Sequence, residues 1–454
     1  MRIPFGIQTY QHPARQAVNS RLQNCYVEPL PKGSKAPLAI IGTPGISTWA
    51  TVGSGTLRGA KYWREWLWVL SGETLYRTDG TTTTTVGTIP GTDRVSMAAG
   101  EYLAICSHGN VYWTEGGAPK RVDDPDFKGA SKVAWLAGYY IYVKPGTGVF
   151  YISAAGDPSS VDALDFATAE AQPDKTVSVL TDSTQIIFFG EESTEVWALR
   201  GGAFPFVRNY GGVLDIGCLA PESAAKLGNI AFWLAHDRTV WMLSGGAKKI
   251  STEGIDHELA NLTNPADAIG MTSSVSGRGS YILTFPTDGR TFEYSVNTGL
   301  WNERKSFGYD RWRGDLTLTA FGKPLVLDAY SSVIGVQDTD VHTEFGTQLV
   351  FRAASAPVSE GNRWLFHNSL YLDFETGRST VYDNPEVMIR WSDDGYNWQP
   401  QLTRSMGNAG QYSERISINQ TLGRAKNRIY EVAISDPVYR HFLGAEGDIQ
   451  LGGY

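Results

Sequence analysis

Seven residues, Ser392-Asp393-Asp394-Gly395-Tyr396-Asn397-Trp398, crowd two carboxylates, two hydroxyls and an indole together. Paired carboxylates are what general acid–base or glycosyl chemistry requires. Asp-Asp-Gly between apolar runs is also a strong hairpin turn, with aspartate oxygens satisfying the turn's own backbone. The run therefore reads as a turn. Glycan cleavage at an acidic sugar would further need clustered arginines for the substrate carboxylate, a Tyr/Glu pair and an acid. Arg58, Arg94, Arg208, Arg238 and Arg313 lie far apart, and nothing marks them as a set.

The same run is close to the Asp-box of sialidase-type propellers, Ser-x-Asp-x-Gly-x-x-Trp. It is one residue short and its glycine is displaced. Histidines 12, 108, 236, 257, 342, 367 and 441 show neither His-x-x-x-His nor His-Glu-x-x-His spacing, so no metal site is indicated. Cys25, Cys106 and Cys218 are too few and too far apart for a disulfide framework or metal knuckle, and read as small buried apolar residues. The Gly-Gly pairs at 116, 201, 211 and 245 lack the strand and helix context of a phosphate-binding loop. No Gly-x-Ser-x-Gly elbow is present. The expectation is therefore no catalytic residue, no cofactor, no metal and no enzyme.

What the chain does carry is a repeat. Seven times between Trp63 and Gln337 an aromatic-rich apolar run, a tight polar turn and a second apolar run recur. The first runs centre on Leu67, Leu103, Ile141, Ile187, Phe232, Ile282 and Leu325, between 36 and 50 residues apart. Four-stranded blades need about 40–50 residues each, so the period predicts a β-propeller of six or seven blades. The count turns on whether Lys323–Val336 completes the disc. Aromatic residues such as Trp68, Phe188 and Trp233 are expected in the core between stacked blades.

Three segments follow. Residues 1–48 lack the period and are rich in proline, which suits an extended arm. Residues 49–340 hold the propeller, with long inserts at Asp123–Lys132, Ala154–Lys175, Gly201–Ala220 and Ser251–Ala268 that read as partner-contact loops. Residues 341–454 alternate apolar and polar, as in Arg428-Ile-Tyr-Glu-Val-Ala-Ile, and predict a small β-sandwich. The arm is expected to pack on that sandwich, giving one platform from both termini. Helix is scarce, with Asp256–Leu262 its one candidate.

The chain is all-β in pattern, 42% hydrophobic and only 19% charged, so it can bury a large core. Its net charge of −8 offers no basic footprint for gripping nucleic acid. The amino terminus shows no secretory h-region and no stretch is long and apolar enough to span a membrane, so folding in a cytoplasm is expected.

Local strings then become informative. Asp93-Arg-Val-Ser-Met-Ala-Ala-Gly100, Ala169-Glu-Ala-Gln-Pro-Asp174 and Asn24-Cys-Tyr-Val-Glu-Pro29 resemble stretches of the packaged-DNA stabilisation proteins of short-tailed bacteriophages. So do Thr43-Pro-Gly-Ile46 and Arg390-Trp-Ser-Asp-Asp-Gly395. The resemblance implies a virion protein, a tail hub or nozzle assembled in the host cytoplasm. It implies a homo-oligomer, usually a hexamer, below the portal adaptor (head-completion) protein. Such a ring extends and closes the DNA channel, retains packaged DNA, docks tailspikes or tail fibres and can meet a tail needle. Genomic DNA would pass through without being held tightly, along the ring axis, since a propeller's own hole is too narrow for duplex. The alternatives are a propeller lectin or receptor-binding tail module and, third, a glycosidase.

Overall fold

The computed structural model of the chain describes residues 1–454 apart from 12–17, 170–172, 203, 379–381 and 453–454. His12 and part of the Ala169–Asp174 string lie outside the described residues. Each apolar hairpin of the repeat forms the second and third strands of a four-stranded antiparallel sheet. In blade 1, Trp66–Ser71 and Thr74–Thr78 are flanked by Leu57–Trp63 inside and Thr83–Thr88 outside. The turns are tight. Between Leu103–Ser107 and Asn110–Thr114 only His108 and Gly109 intervene, at φ +48° and +79°. Two positive φ values match the right-handed twist of the flanking strands. His108 is thus a turn residue.

Six such sheets are contiguous in sequence, their innermost strands starting at Leu57, Ser96, Lys132, Thr176, Ala225 and Ile269. A seventh is composite. Gly314–Ala320, Lys323–Asp328 and Val333–Asp338 take their outermost strand, Gly45–Thr51, from the amino-terminal side. Lys323–Val336 therefore does complete the disc, and the boundary expected at 48/49 falls inside a blade strand. Closing a ring with a strand from its other end prevents the first and last blades from parting. Val52, Leu67, Leu325 and Leu327 pack across that seam.

Blades stack face to face through the aromatic residues of the repeat. Phe150 stacks on Phe188 at 4.2 Å between blades 3 and 4, and Phe232 on Tyr281 at 5.0 Å between blades 5 and 6. Each such pair adds about 0.5–1.5 kcal/mol beyond its buried area. Two of the supposed inserts are not loops. Asp157–Thr168 and Phe206–Leu214 are the outermost strands of blades 3 and 4, less apolar because one face meets water. The Ser251–Ala268 segment holds a helix, Glu253–Ala260, capped by Thr252, and a 3₁₀ turn, Pro265–Asp267.

The second body is a sandwich of two sheets, and both are mixed from the two ends of the chain. One runs Cys25–Pro29, Leu38–Gly42, His441–Leu451, Leu365–Phe374, Ile416–Ile418, with Arg2–Ile3 also paired to His441–Leu451. The other runs Asn19–Gln23, Phe351–Ala354, Asn427–Ile434, Glu386–Ser392, Leu402–Ser405. Ile3, Leu22, Cys25, Val27 and Ile40 share one core with Phe351, Ile389, Tyr430, Val432 and Phe442. Asn19–Gln23 also pairs in parallel with Leu300–Glu303, the outermost strand of blade 6, through Gln23 and Glu303. Removing residues 1–30 is expected to unfold the sandwich while sparing the propeller, because Gly45–Thr51 survives the cut. Limited proteolysis checks it: a protected propeller fragment with residues 351–450 digested is the expected pattern, and an intact sandwich refutes it.

Candidate functional site

The residues first suspected of chemistry are structural. Asp394 accepts hydrogen bonds from the Tyr396 and Asn397 amides at 2.8 and 2.7 Å and from the Asn397 side chain at 2.6 Å. Those donors, Asn397 foremost, hold its carboxyl well below the usual range. Asp393 is bound bidentately by buried Arg428 at 2.6 and 2.9 Å. Both carboxylates serve the turn and its anchor. The five arginines stay apart: Arg58 is buried among the Asp93, Gly72 and Ile89 carbonyls, Arg208 pairs with Glu195, Arg238 with the Ala260 carbonyl and Arg313 with Asp328. Arg94 belongs to a wider cluster with Lys132, Glu222 and Asp315. Among the described residues no group of three or more His, Cys, Asp or Glu is placed to hold a metal ion. The three cysteines are free and buried, and burial raises each thiol, Cys106 to about 12 and Cys218 to about 11.

The densest polar chemistry lies where propeller meets sandwich. Asn24, fully buried at φ +52°, donates to the Lys305 and Val350 carbonyls at 2.8 and 2.9 Å and accepts from the Lys305 amide at 2.9 Å. Asparagine tolerates that left-handed backbone better than most residues. Arg21, on the amino-terminal strand, grips Glu303 of blade 6 with two bonds of 3.1 and 2.9 Å. Deeper, Arg304 is 1% exposed and lies between Glu293 at 3.4 Å and Glu344 at 3.6 Å, over the Trp312 ring. Glu293 also meets Arg278 at 3.0 Å and Asn302 at 3.0 Å. Burial alone would raise the Glu293 carboxyl; the Arg278 and Arg304 guanidiniums outweigh it and bring it down to about 2. Glu344 accepts from Trp312 at 2.9 Å and Ser306 at 2.5 Å. On the sandwich side, Arg440 is buried and donates to the Leu349 and Thr43 carbonyls at 2.6 and 3.2 Å. A joint built on buried ion pairs holds one geometry, because sliding would part the Arg304, Glu293 and Glu344 charges from one another.

The second cluster bridges the propeller's own hole. Arg94 sits just before the innermost strand of blade 2, Lys132 opens that of blade 3, Glu222 precedes that of blade 5 and Asp315 lies at the start of blade 7. Arg94 pairs with Asp315 and approaches Glu222 at 3.8 Å, and Lys132 pairs with Glu222. Arg311 adds a contact of 3.5 Å to Asp315. Blades 2 and 5 face each other across the disc. A contact between them closes the channel to anything as wide as a duplex at that mouth.

Comparison with known proteins bears on the whole chain. A family model for the β-propeller of bacteriophage P22 Gp10 matches residues 1–342, and one for the β-sandwich of the same protein matches residues 351–450. The chain belongs to the P22 Gp10 family. No curated protein matches it significantly. Among solved structures, the extracellular domain of the putative one-component system BT4673 from B. thetaiotaomicron is 9% identical, with 90% of this chain and 60% of that chain covered and a TM-score of 0.45. The β-propeller domain of Myceliophteria thermophila Cps50 is 11% identical, covering 64% and 98%, with a TM-score of 0.41. The N-terminal domain of Nup159 is 11% identical, covering 70% and 98%, with a TM-score of 0.40. Those likenesses are too weak to bear on function.

Membership makes the chain a phage structural protein and a component of the virion, of the Gp10 class that stabilises packaged DNA. It is all-β, a propeller followed by a sandwich, with almost no helix. No helix among the described residues is long and apolar enough to cross a membrane. The short strings that carried the resemblance lie at mechanical points. Asn24 and Thr43 are in the joint, Arg94 bridges the channel, and Asp174 caps a blade 4 turn through the Glu192 and Ser193 amides at 2.8 and 2.9 Å. Sequence reasoning did not single out Glu293, Arg304 or Glu344. The signal available was a charged residue inside an apolar strand run, as at Glu293 in Thr291-Phe-Glu-Tyr.

Proposed function

We propose that this Gp10-family protein is the hub, or nozzle, of a short phage tail. It assembles as a ring, a homohexamer, below the portal adaptor, extends the DNA channel, helps close it after packaging and gives tailspikes or fibres a docking surface. The match of both bodies to P22 Gp10 over residues 1–342 and 351–450 carries this reading. The bridge from Arg94 to Glu222 and Asp315 supports routing DNA along the axis between subunits. The buried joint supports the mechanical role, since a hub that resists genome pressure needs two bodies that do not slide. Packing around Arg304, Asn24 and Arg440 meets that need.

Electron microscopy of tails tests the assembly: a six-fold ring of this chain directly below the adaptor is expected, and its absence from that position refutes the reading. The charge makes a second expectation. With 47 acidic against 39 basic residues, the wall facing DNA should be acidic or neutral. Isolated protein should bind duplex no more tightly than the non-specific range of about 10⁻⁴ to 10⁻⁶ M at physiological salt. Nanomolar binding in a filter or anisotropy assay would replace a conduit with a clamp.

A further inference from the structure

Two surfaces of this chain are apolar, exposed and opposite in charge. The first is on the rim of blade 3. Its outermost strand, Asp157–Thr168, pairs at Phe166 with Tyr151 and again at Val161 with Ser153. Between those pairs residues 162–165 stand opposite Ile152 alone, which makes a wide bulge. Asp162 accepts the Leu164 amide across it at 2.9 Å. Leu164 is 82% exposed, more than any other large apolar side chain among the described residues, and Phe166 is 51% exposed. Among the described residues neither Asp162 nor Asp165 has an ion pair.

The second surface belongs to the sandwich. Phe366 is the direct register partner of Arg424, which lies on the short strand Arg424–Ala425, so the two side chains share a face. Leu365 and Ala425 are buried, and that face therefore points away from the core. Trp364 stands on it two residues before Phe366, with the Arg424 guanidinium 4.6 Å and the Lys426 ammonium 5.5 Å from its ring centre. A Cβ at Gly452 would come within 2.7 Å of the Phe366 ring, so one side of that ring lies against bare backbone. Phe366 and its neighbour Leu451 remain 40% and 48% exposed. Lys426 donates to the Asn362 side chain at 3.0 Å; among the described residues neither Arg424 nor Lys426 meets a carboxylate.

Aromatic and arginine side chains grouped on a surface are what protein contacts gather. Here one apolar surface carries two carboxylates and the other two cations, so each supplies what the other lacks. One chain cannot bring them together. Its sandwich is joined to the disc at blade 6, through Gln23 and Glu303, and blade 3 lies across the disc from there. A second copy can. Because the two surfaces differ, each added copy leaves one of each free, and repetition about an axis closes a ring.

We propose that neighbouring copies of this chain join head to tail, the blade 3 bulge at Leu164 of one copy seated on the Trp364 and Phe366 face of the next. The inference rests on assembly of the chain as a ring and says which surfaces meet.

Tails assembled from full-length chains carrying both Leu164→Cys and Phe366→Cys test it, since the three native cysteines are buried. After treatment with a short bismaleimide, a denaturing gel is expected to show a ladder of joined chains, and each single-cysteine variant monomers only. Monomers from the double variant, in tails whose six-fold ring is visible by electron microscopy, overturn this contact and leave the ring standing. Dimers from Leu164→Cys alone would mean a two-fold contact and overturn it too. Tails without the ring overturn the assembly and this contact with it. Charge reversal gives an independent reading. Asp162→Lys with Asp165→Lys is expected to lower incorporation into tails about tenfold, and adding Arg424→Asp with Lys426→Asp to the same chain to restore it. An unchanged far-ultraviolet dichroism spectrum checks that these exposed substitutions leave the fold intact. Undiminished incorporation of the lysine variant refutes the pairing.

Discussion

Replacing Arg304 by methionine is expected to destabilise the protein by about 3–5 kcal/mol, the cost of stripping a buried charge network of its central partner. Methionine fills a similar volume, so the loss is electrostatic. Glu344, with no exposed side-chain surface, keeps its hydrogen bonds from Trp312 and Ser306 but no ion pair among the described residues, and Glu293 keeps its pair with Arg278. Adding Glu344→Gln to Arg304→Met should recover part of the loss, because a neutral amide needs no counter-charge. Urea unfolding of the three proteins checks this. A cost below about 1 kcal/mol, typical of exposed ion pairs, would mean the joint is wetter than its geometry indicates. The effect should reach both bodies, since Arg304 follows blade 6 while Glu344 leads from the propeller into the sandwich.

Acid should loosen the sandwich well before it protonates the carboxylates. His367 is 0% exposed, its Nδ1 lies 2.8 Å from the Tyr430 hydroxyl, and its Nε2 has no partner. Burial first, and then the Arg428 charge, push it from 6.5 down to about 4. A folded value below the unfolded one means that the stability is fully present above about pH 6.5 and is lost as pH falls towards 4. At about 1.4 kcal/mol per unit this amounts to about 3 kcal/mol from His367. His342, packed against Tyr439 at 4.5 Å, is lowered to about 4 by burial and then by Arg440, and acts in the same window. Glu293 acts lower: its contribution is present above about pH 4.5 and is lost as pH falls towards 2. Unfolding measured at pH 7.5 and 4.5 should show the wild type losing more stability than His367→Gln. Equal losses would place the acid sensitivity elsewhere.

The propeller was legible in the sequence because its signal is local. An apolar run, a turn and a second apolar run sit within about 15 residues, and the same side chains that set the period fill the space between blades. The pattern reported only the second and third strands. The outer strands Asp157–Thr168 and Phe206–Leu214 passed for inserts, since a strand with one wet face and one free edge carries less apolar periodicity. The Asp393–Gly395 turn was likewise readable, because an aspartate that bonds amides two and three residues on needs nothing from afar.

Neither polar cluster could be read that way. Asn24 meets partners 281 and 326 positions away, and Arg94 meets Asp315 across 221. Composition established that acids outnumber bases, and the short strings around Asn24, Arg94 and Arg390 pointed to the family. Where each charge went was decided by the tertiary structure. A charge is tolerated in a strand or turn of almost any sequence; whether it becomes part of a buried joint or a bridge across a channel depends on what the fold brings within about 4 Å of it.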